Sequence, residues 1–136
     1  LLTTILLTNP NKPLLDFNFD YIQGPLREHL RDIYTKTDIF LCPSIQEGWR
    51  HNPPSEAMAA KCAVVATNVG SVLDTIEDSV NGFKVEPNDI DAMEQFIVKL
   101  MQDRDLRIFI SENAYDSIQG LTWDEPIEKL DKLFKN

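Results

Sequence analysis

Apolar residues along this chain follow two rhythms. Short apolar or β-branched runs at Thr3–Thr8, Ile39–Cys42, Ala63–Ala66 and Phe83–Val85 predict strands. Ile39–Cys42 and Ala63–Ala66 are continuously apolar, as expected of strands with helices over both sheet faces. Phe17–Ile22 alternates and predicts one more strand. Between these runs the spacing changes to that of a helix. Leu26, Leu30, Ile33 and Tyr34 mark a buried stripe on a helix over Pro25–Thr35, with Pro25 in a tolerated first-turn position. Met93, Phe96, Ile97, Leu100 and Met101 mark another over Asp89–Met101. Two further helices are predicted over Leu106–Ile118 and Glu125–Phe134, and a short one near Ser71–Ile76.

The connection after Ile39–Cys42 stands apart. It runs through PSIQEGWRH before Asn52, which can cap a helix opened by Pro53 and continued by Glu56 to Ala60. Most strand-to-helix connections are shorter, so a long one calls for a reason. Asn9–Pro13 reads as a loop and Asn81-Gly82 as a turn. Strands that alternate with helices imply an α/β fold: an open, mostly parallel sheet with helices on both faces, as one domain over residues 1–136.

Composition narrows the function classes. The chain has 136 residues, 43% hydrophobic, which suits a folded domain rather than a disordered one. A formal net charge of −9 argues against a nucleic-acid surface, which needs clustered Lys and Arg. A small anionic ligand stays open, because a few local donors can hold one. Cys42 and Cys62 lie beside or within apolar runs, as buried free thiols in a reducing compartment do. The opening LLTTILLT is too short to cross a bilayer and lacks the charged flank of a signal peptide.

The long connection gathers the candidate chemistry. In open α/β sheets, ligands bind beyond the carboxyl ends of the strands. Glu47 lies in the loop and Glu56 is expected in the first turn of the following helix. That helix N-terminus points to the same side, where unpaired N–H groups and the positive dipole end favour phosphate. Gly48 permits a backbone to approach a ligand closely. Glu56 could accept hydrogen bonds from a ribose cis-diol, and Glu47 could hold hydroxyls of a second polar group. Arg50 could pair with phosphate oxygens in a bidentate way. Each feature has a plain structural alternative: a helix-start glutamate steadied by the dipole, a Glu-Gly turn, Trp49 as a packing residue, Arg50 and His51 as solvated charges. Asp89-Ile90-Asp91 spells a D-x-D, a short motif that can hold a divalent metal. It follows Pro87-Asn88 and opens a helix, where Asp is a capping residue, so no metal site is expected.

The ordered series PS-x-x-EGW, PPSEAMA, CAVVATNVGS and NGFKVEPND resembles the C-terminal, nucleotide-sugar half of retaining glycosyltransferases of the GT-B fold, the family four group (glycosyl transferases group 1). LTWDEPIEKL is similar to the family's terminal segment, so the resemblance runs from about Gly24 to Phe134. The family pattern is roughly PS-x-x-EGF-G-x-P-x-x-EAMA-x-G-x-PVVA-x-x-x-GG-x-x-E. The resemblance implies a transferase that moves a sugar from a nucleotide-diphosphate sugar, with Glu47 at the donor sugar and Glu56 at the ribose. It also implies backbone contacts around Gly48, Trp49 and Arg50, and a base site near Ile22. No cofactor and no metal are implied, the nucleotide-sugar being a substrate. The implied partners are that donor and an acceptor glycan, lipid or small molecule bound by a domain absent from this sequence, with no nucleic acid. A cytoplasmic location and peripheral membrane association of a longer parent enzyme go with this.

Three departures stand out. Glu47 and Glu56 are separated by eight residues where the family has seven. Arg50 replaces a common glycine, and Ser71 replaces the second glycine of the GG pair, with Asp74 at the following acidic position. The family's upstream Arg and Lys, which neutralise pyrophosphate, have no match before Thr8. On this reading the chain is N-terminally truncated and catalytically incomplete alone. The alternatives are another GT-B activity, an epimerase or a phosphorylase, or a non-catalytic α/β interaction module. A phosphorylase would need a lysine for pyridoxal phosphate, and none near the motifs fits.

Overall fold

The computed structural model describes residues 4–7, 16–48, 52–122 and 124–135. The backbone divides into two compact units, Leu1–Lys36 and Thr37–Asn136. In the first unit, β1 (Thr4–Leu7) pairs in parallel with β2 (Asp20–Gln23), with Thr4 opposite Asp20 and Leu7 opposite Gln23. The expected strand from Phe17 starts three positions late. Phe17 and Phe19 instead pack ring against ring, with centroids 5.8 Å apart. Their alternation reflects that contact rather than a ladder. Gly24, at φ +51°, turns the chain out of β2. The helix α1 spans Arg27–Thr35, starting after Pro25 and Leu26 rather than at Pro25. It buries Tyr34 and half-buries Leu30 and Ile33, but Leu26, just outside it, is 61% exposed.

The second unit contains a three-stranded parallel sheet in the order β3 (Ile39–Cys42), β4 (Ala63–Thr67), β5 (Phe83–Val85). Its register sets Cys42 opposite Ala66 and Thr67 opposite Val85. All five β4 residues are buried. Successive strand side chains point to opposite faces, so full burial means both faces of β4 are covered. Leu41 on β3 is 41% exposed, as befits a strand that, among the described residues, pairs only with β4.

The helices α2 (Asn52–Ala59), α3 (Val72–Thr75), α4 (Ile90–Gln102), α5 (Arg104–Ile118) and α6 (Asp124–Phe134) complete the unit. Ala63, Val65, Phe83 and Val85 form one core with Leu100 of α4 and Ile110 of α5. Phe83 stacks on Phe96, with centroids 4.3 Å apart. The helix α2 packs on β3, β4 and α5 through Pro54, Ala57 and Met58, at helical spacing. Asp89 accepts from Ala92 N and Asp103 from Leu106 N, so α4 and α5 each begin on a carboxylate cap. The Asp89-Ile90-Asp91 tripeptide is therefore a helix start. Among the described residues, no helix is long and apolar enough to cross a membrane.

The helix α2 ends in a turn at Lys61 and Cys62. Cys62 N donates to Ala57 O and Lys61 N to Met58 O, the paired bonds of a Schellman ending. The residue at its left-handed position is Lys61, at φ +63°, where the family pattern has glycine. Its ammonium lies 4.8 Å from the centroid of the Tyr115 ring on α5.

Asn81 ties the β5 hairpin-like turn to α5. Its amide accepts from Glu77 N at 2.7 Å and donates to Ser117 Oγ at 2.9 Å and Thr75 O at 3.3 Å. A buried amide so satisfied fixes the approach to β5.

Candidate functional site

Because the three strands are parallel, their carboxyl ends at Cys42, Thr67 and Val85 lie on one side of the sheet. The chain leaving each end is bonded to its neighbours. Thr67 Oγ1 donates to Ser44 O at 2.5 Å and lies 3.3 Å from Cys42 O. Asn68 N donates to Val85 O at 2.7 Å, and Asn68 Nδ2 to Glu86 Oε1 at 3.1 Å. The oxygen of the Asn68 side-chain amide, Oδ1, is buried and has no hydrogen-bond partner among the described residues. An orphaned acceptor at a strand end is unusual in a folded protein.

Glu47 lies in the loop from β3, half-buried. Its charge is close enough to the Cys42 thiol to disfavour ionisation there, adding to burial, which is the larger cause of that thiol's raised pKa; hydrogen bonds from Ser44 pull the other way. Gly48 is exposed, and among the described residues a methyl group there would meet only open space. That room is what a close backbone approach to a ligand requires. The Gly48 carbonyl and the Glu47 side chain, by contrast, are tightly backed by Gly70. A Cβ on Gly70 would sit 2.7 Å from Gly48 O and 3.2 Å from Glu47 Cβ.

Glu56 is exposed on α2. The helix begins at Asn52, so Glu56 is its fifth residue and falls beyond the first turn, which carries no acidic residue. The expected first-turn placement is corrected by one position, and Asn52 is the first helical residue rather than the cap.

The helix start also supplies fewer donors than a typical one. Of the first four positions, Asn52, Pro53, Pro54 and Ser55, the two prolines carry no N–H. The anion-binding power of α2 is correspondingly halved in donors, while the dipole remains. Trp49, Arg50 and His51 lie outside the described residues, so the expected bidentate phosphate contact of Arg50 and the contact of Trp49 do too. Ile22, the base-site candidate, is half-buried on β2 in the first unit.

Two participants were not singled out from the sequence. Thr67 and Gly70 touch the Glu47 loop across the sheet, and no local pattern signals a contact between positions more than twenty residues apart. The GG motif gave a hint of Gly70 without its reason.

Residues 17–117 match the model of the family described as glycosyl transferases group 1. The chain is 30% identical over 125 residues to the capsular polysaccharide biosynthesis glycosyltransferase CapM of Staphylococcus aureus, covering 88% of this chain and 30% of that protein. It is 30% identical over 97 residues to the O-antigen chain mannosyltransferase B of Escherichia coli, covering 71% of this chain and 25% of that protein. The chain thus spans less than a third of the length of these relatives. Among solved structures, the C-terminal domain of a glycosyl transferase group 1 protein (LpcC) from Francisella tularensis superposes with a TM-score of 0.71 at 34% identity, covering 78% of this chain and 54% of that one. Anabaena HepE, solved in complex with UDP-glucose, has the same fold, with a TM-score of 0.78 at 18% identity over 89% of this chain and 33% of that one. With its strand-end loops, its parallel sheet and a match over most of its length, the chain belongs to the glycosyl transferases group 1 family and has the fold of a GT-B glycosyltransferase's C-terminal domain.

Proposed function

We propose that this chain is the donor-binding part of a longer glycosyltransferase, which transfers a sugar from a nucleoside-diphosphate sugar to an acceptor with retention of configuration. Glu47 addresses the donor sugar and Glu56 the ribose of the nucleotide. The observation that carries the reading is the Glu47–Gly48 loop itself. It leaves the carboxyl end of β3 and is backed tightly by Gly70, and among the described residues a Cβ on Gly48 would meet open space. A carboxylate on such a loop can accept hydrogen bonds from sugar hydroxyls while the Gly48 backbone lies close to the ligand. Relatives named as glycosyltransferases, and HepE with its bound UDP-glucose, support a nucleotide-sugar as the donor.

Because two prolines thin the donors at the start of α2, the pyrophosphate needs cations from elsewhere in the longer protein, and Arg50 is a candidate. An acceptor glycan, lipid or small molecule, a cytoplasmic location and peripheral membrane association belong to the same proposal.

The test separates the two glutamates. In the full-length enzyme, Glu47→Ala lowers turnover with nucleotide-sugar by at least tenfold while affinity for plain nucleoside diphosphate stays within about twofold. A carboxylate that acts on the sugar contributes where the transition state forms. Equal losses in both measurements would reject the division of labour.

A further inference from the structure

We infer that Thr67 and Gly70 are positioning residues for Glu47, holding its loop from the turn that follows the neighbouring strand. The inference rests on the reading of Glu47 as the donor-sugar carboxylate. The loop leaves β3 at Cys42 and has no regular structure as far as Gly48. Within it the Cys42 thiol and Ser44 hydroxyl lie 3.7 Å apart, while Ile45 and Gln46 are exposed. The end of β4 adds two holds from outside the loop. At the loop's base, the Thr67 hydroxyl donates to Ser44 O at 2.5 Å. Thr67 is only 3% exposed, so water cannot readily replace that bond. Further along, Gly70 lies against Glu47 and Gly48.

Gly70 meets two demands at once. Its φ of +56° is in the left-handed region that disfavours a side chain. A methyl group there would also lie 2.7 Å from a backbone oxygen, Gly48 O, which cannot rotate aside. Gly24 and Gly120 have positive φ too, +51° and +86°, but open space where a Cβ would be. Among the described glycines, only Gly70 combines the strain with the collision. The two contacts bracket Ser44–Gly48, so the reach of the Glu47 carboxylate is set by β4 and its turn as well as by its own loop. A misplacement of a fraction of an ångström at a donor-sugar contact is enough to slow transfer.

The test uses amide hydrogen exchange and donor turnover in the full-length protein, with four variants. Gly70→Ala and Thr67→Val should each speed exchange at Ile45–Gly48 at least tenfold, leaving β5 and α5 unchanged. Thr67→Ser keeps the hydroxyl and should restore wild-type exchange. Gly120→Ala controls for the strain of positive φ alone and should leave the loop unchanged. Gly70→Ala and Thr67→Val should also lower kcat with nucleotide-sugar at least fivefold, with affinity for plain nucleoside diphosphate within twofold of wild type. Unchanged loop exchange in Thr67→Val, or acceleration spread evenly over the unit, overturns the positioning role, even if Gly70→Ala fails to fold. Faster loop exchange with unaltered kcat upholds the positioning and rejects the reading of Glu47 on which the catalytic consequence depends.

Discussion

Cys62 shows how burial alone can set chemistry at a single residue. The thiol is fully buried, and desolvation, with a smaller contribution from Asp38, pushes its pKa up from 9.0 to about 12. In the unfolded chain the same thiol ionises near 9.0. Between those values the unfolded state gives up a proton that the folded state keeps. Stability therefore falls as pH rises from 9 towards 12, and the thiol has no such effect below 9. The slope for one group is at most about 1.4 kcal/mol per pH unit. Other groups titrate in this range, so the contribution is read as a difference. In urea unfolding followed from pH 7 to 10.5, the stability difference between wild type and Cys62→Ala should be constant up to about pH 8.5 and then shrink. A difference that stays flat to pH 10.5 would show that the thiol ionises freely in the folded protein. Neither cysteine forms a disulfide and both are buried, as their apolar settings in the sequence implied. Glu47 and Thr67 differ in legibility for a related reason. A glutamate in a long loop stands out against its neighbours, whereas the value of Thr67 comes from Ser44, far away in sequence.

At the scale of elements, periodicity located β3, β4, β5, α4 and α5 to within two residues. These are the elements that share a core, so apolar spacing and burial coincide. It failed where apolar residues serve another purpose. Phe17 and Phe19 alternate as a strand would but pack on each other, and Leu26 fits the stripe of α1 but lies exposed before its start. The start of α2 moved because Asn52, an apt cap by residue type, is taken into the helix. The end of α2 yields a prediction. Lys61 holds a left-handed conformation that costs a residue with a side chain about 1 kcal/mol, offset by the attraction of its ammonium to Tyr115, worth about 0.5–1 kcal/mol. Lys61→Ala keeps the strain and loses the attraction, whereas Lys61→Gly loses both. Lys61→Gly should therefore be more stable than Lys61→Ala by about 1 kcal/mol in urea titrations. The reverse order would mean that the turn is not strained.

Across the whole molecule, the site follows from topology. Parallel strands bring the chain after β3, β4 and β5 to one side, and the bonds of Thr67, Asn68 and Gly70 knit those exits together. The ordered motifs in the sequence carry the family and the fold. They cannot carry the geometry, because the contacts of Ser44, Glu47 and Gly48 with Thr67 and Gly70 come from β4 and its turn. In the proposed function Glu56, exposed on α2, binds the ribose of a nucleoside diphosphate. Calorimetric titration of the full-length protein with UDP and GDP, wild type against Glu56→Gln, checks this role. Wild type should bind at least one of the two measurably. Glu56→Gln should lose about 1–3 kcal/mol of that affinity, the cost of a weakened hydrogen bond to a charged group. Equal affinity of wild type and Glu56→Gln for the nucleotide that binds would contradict it.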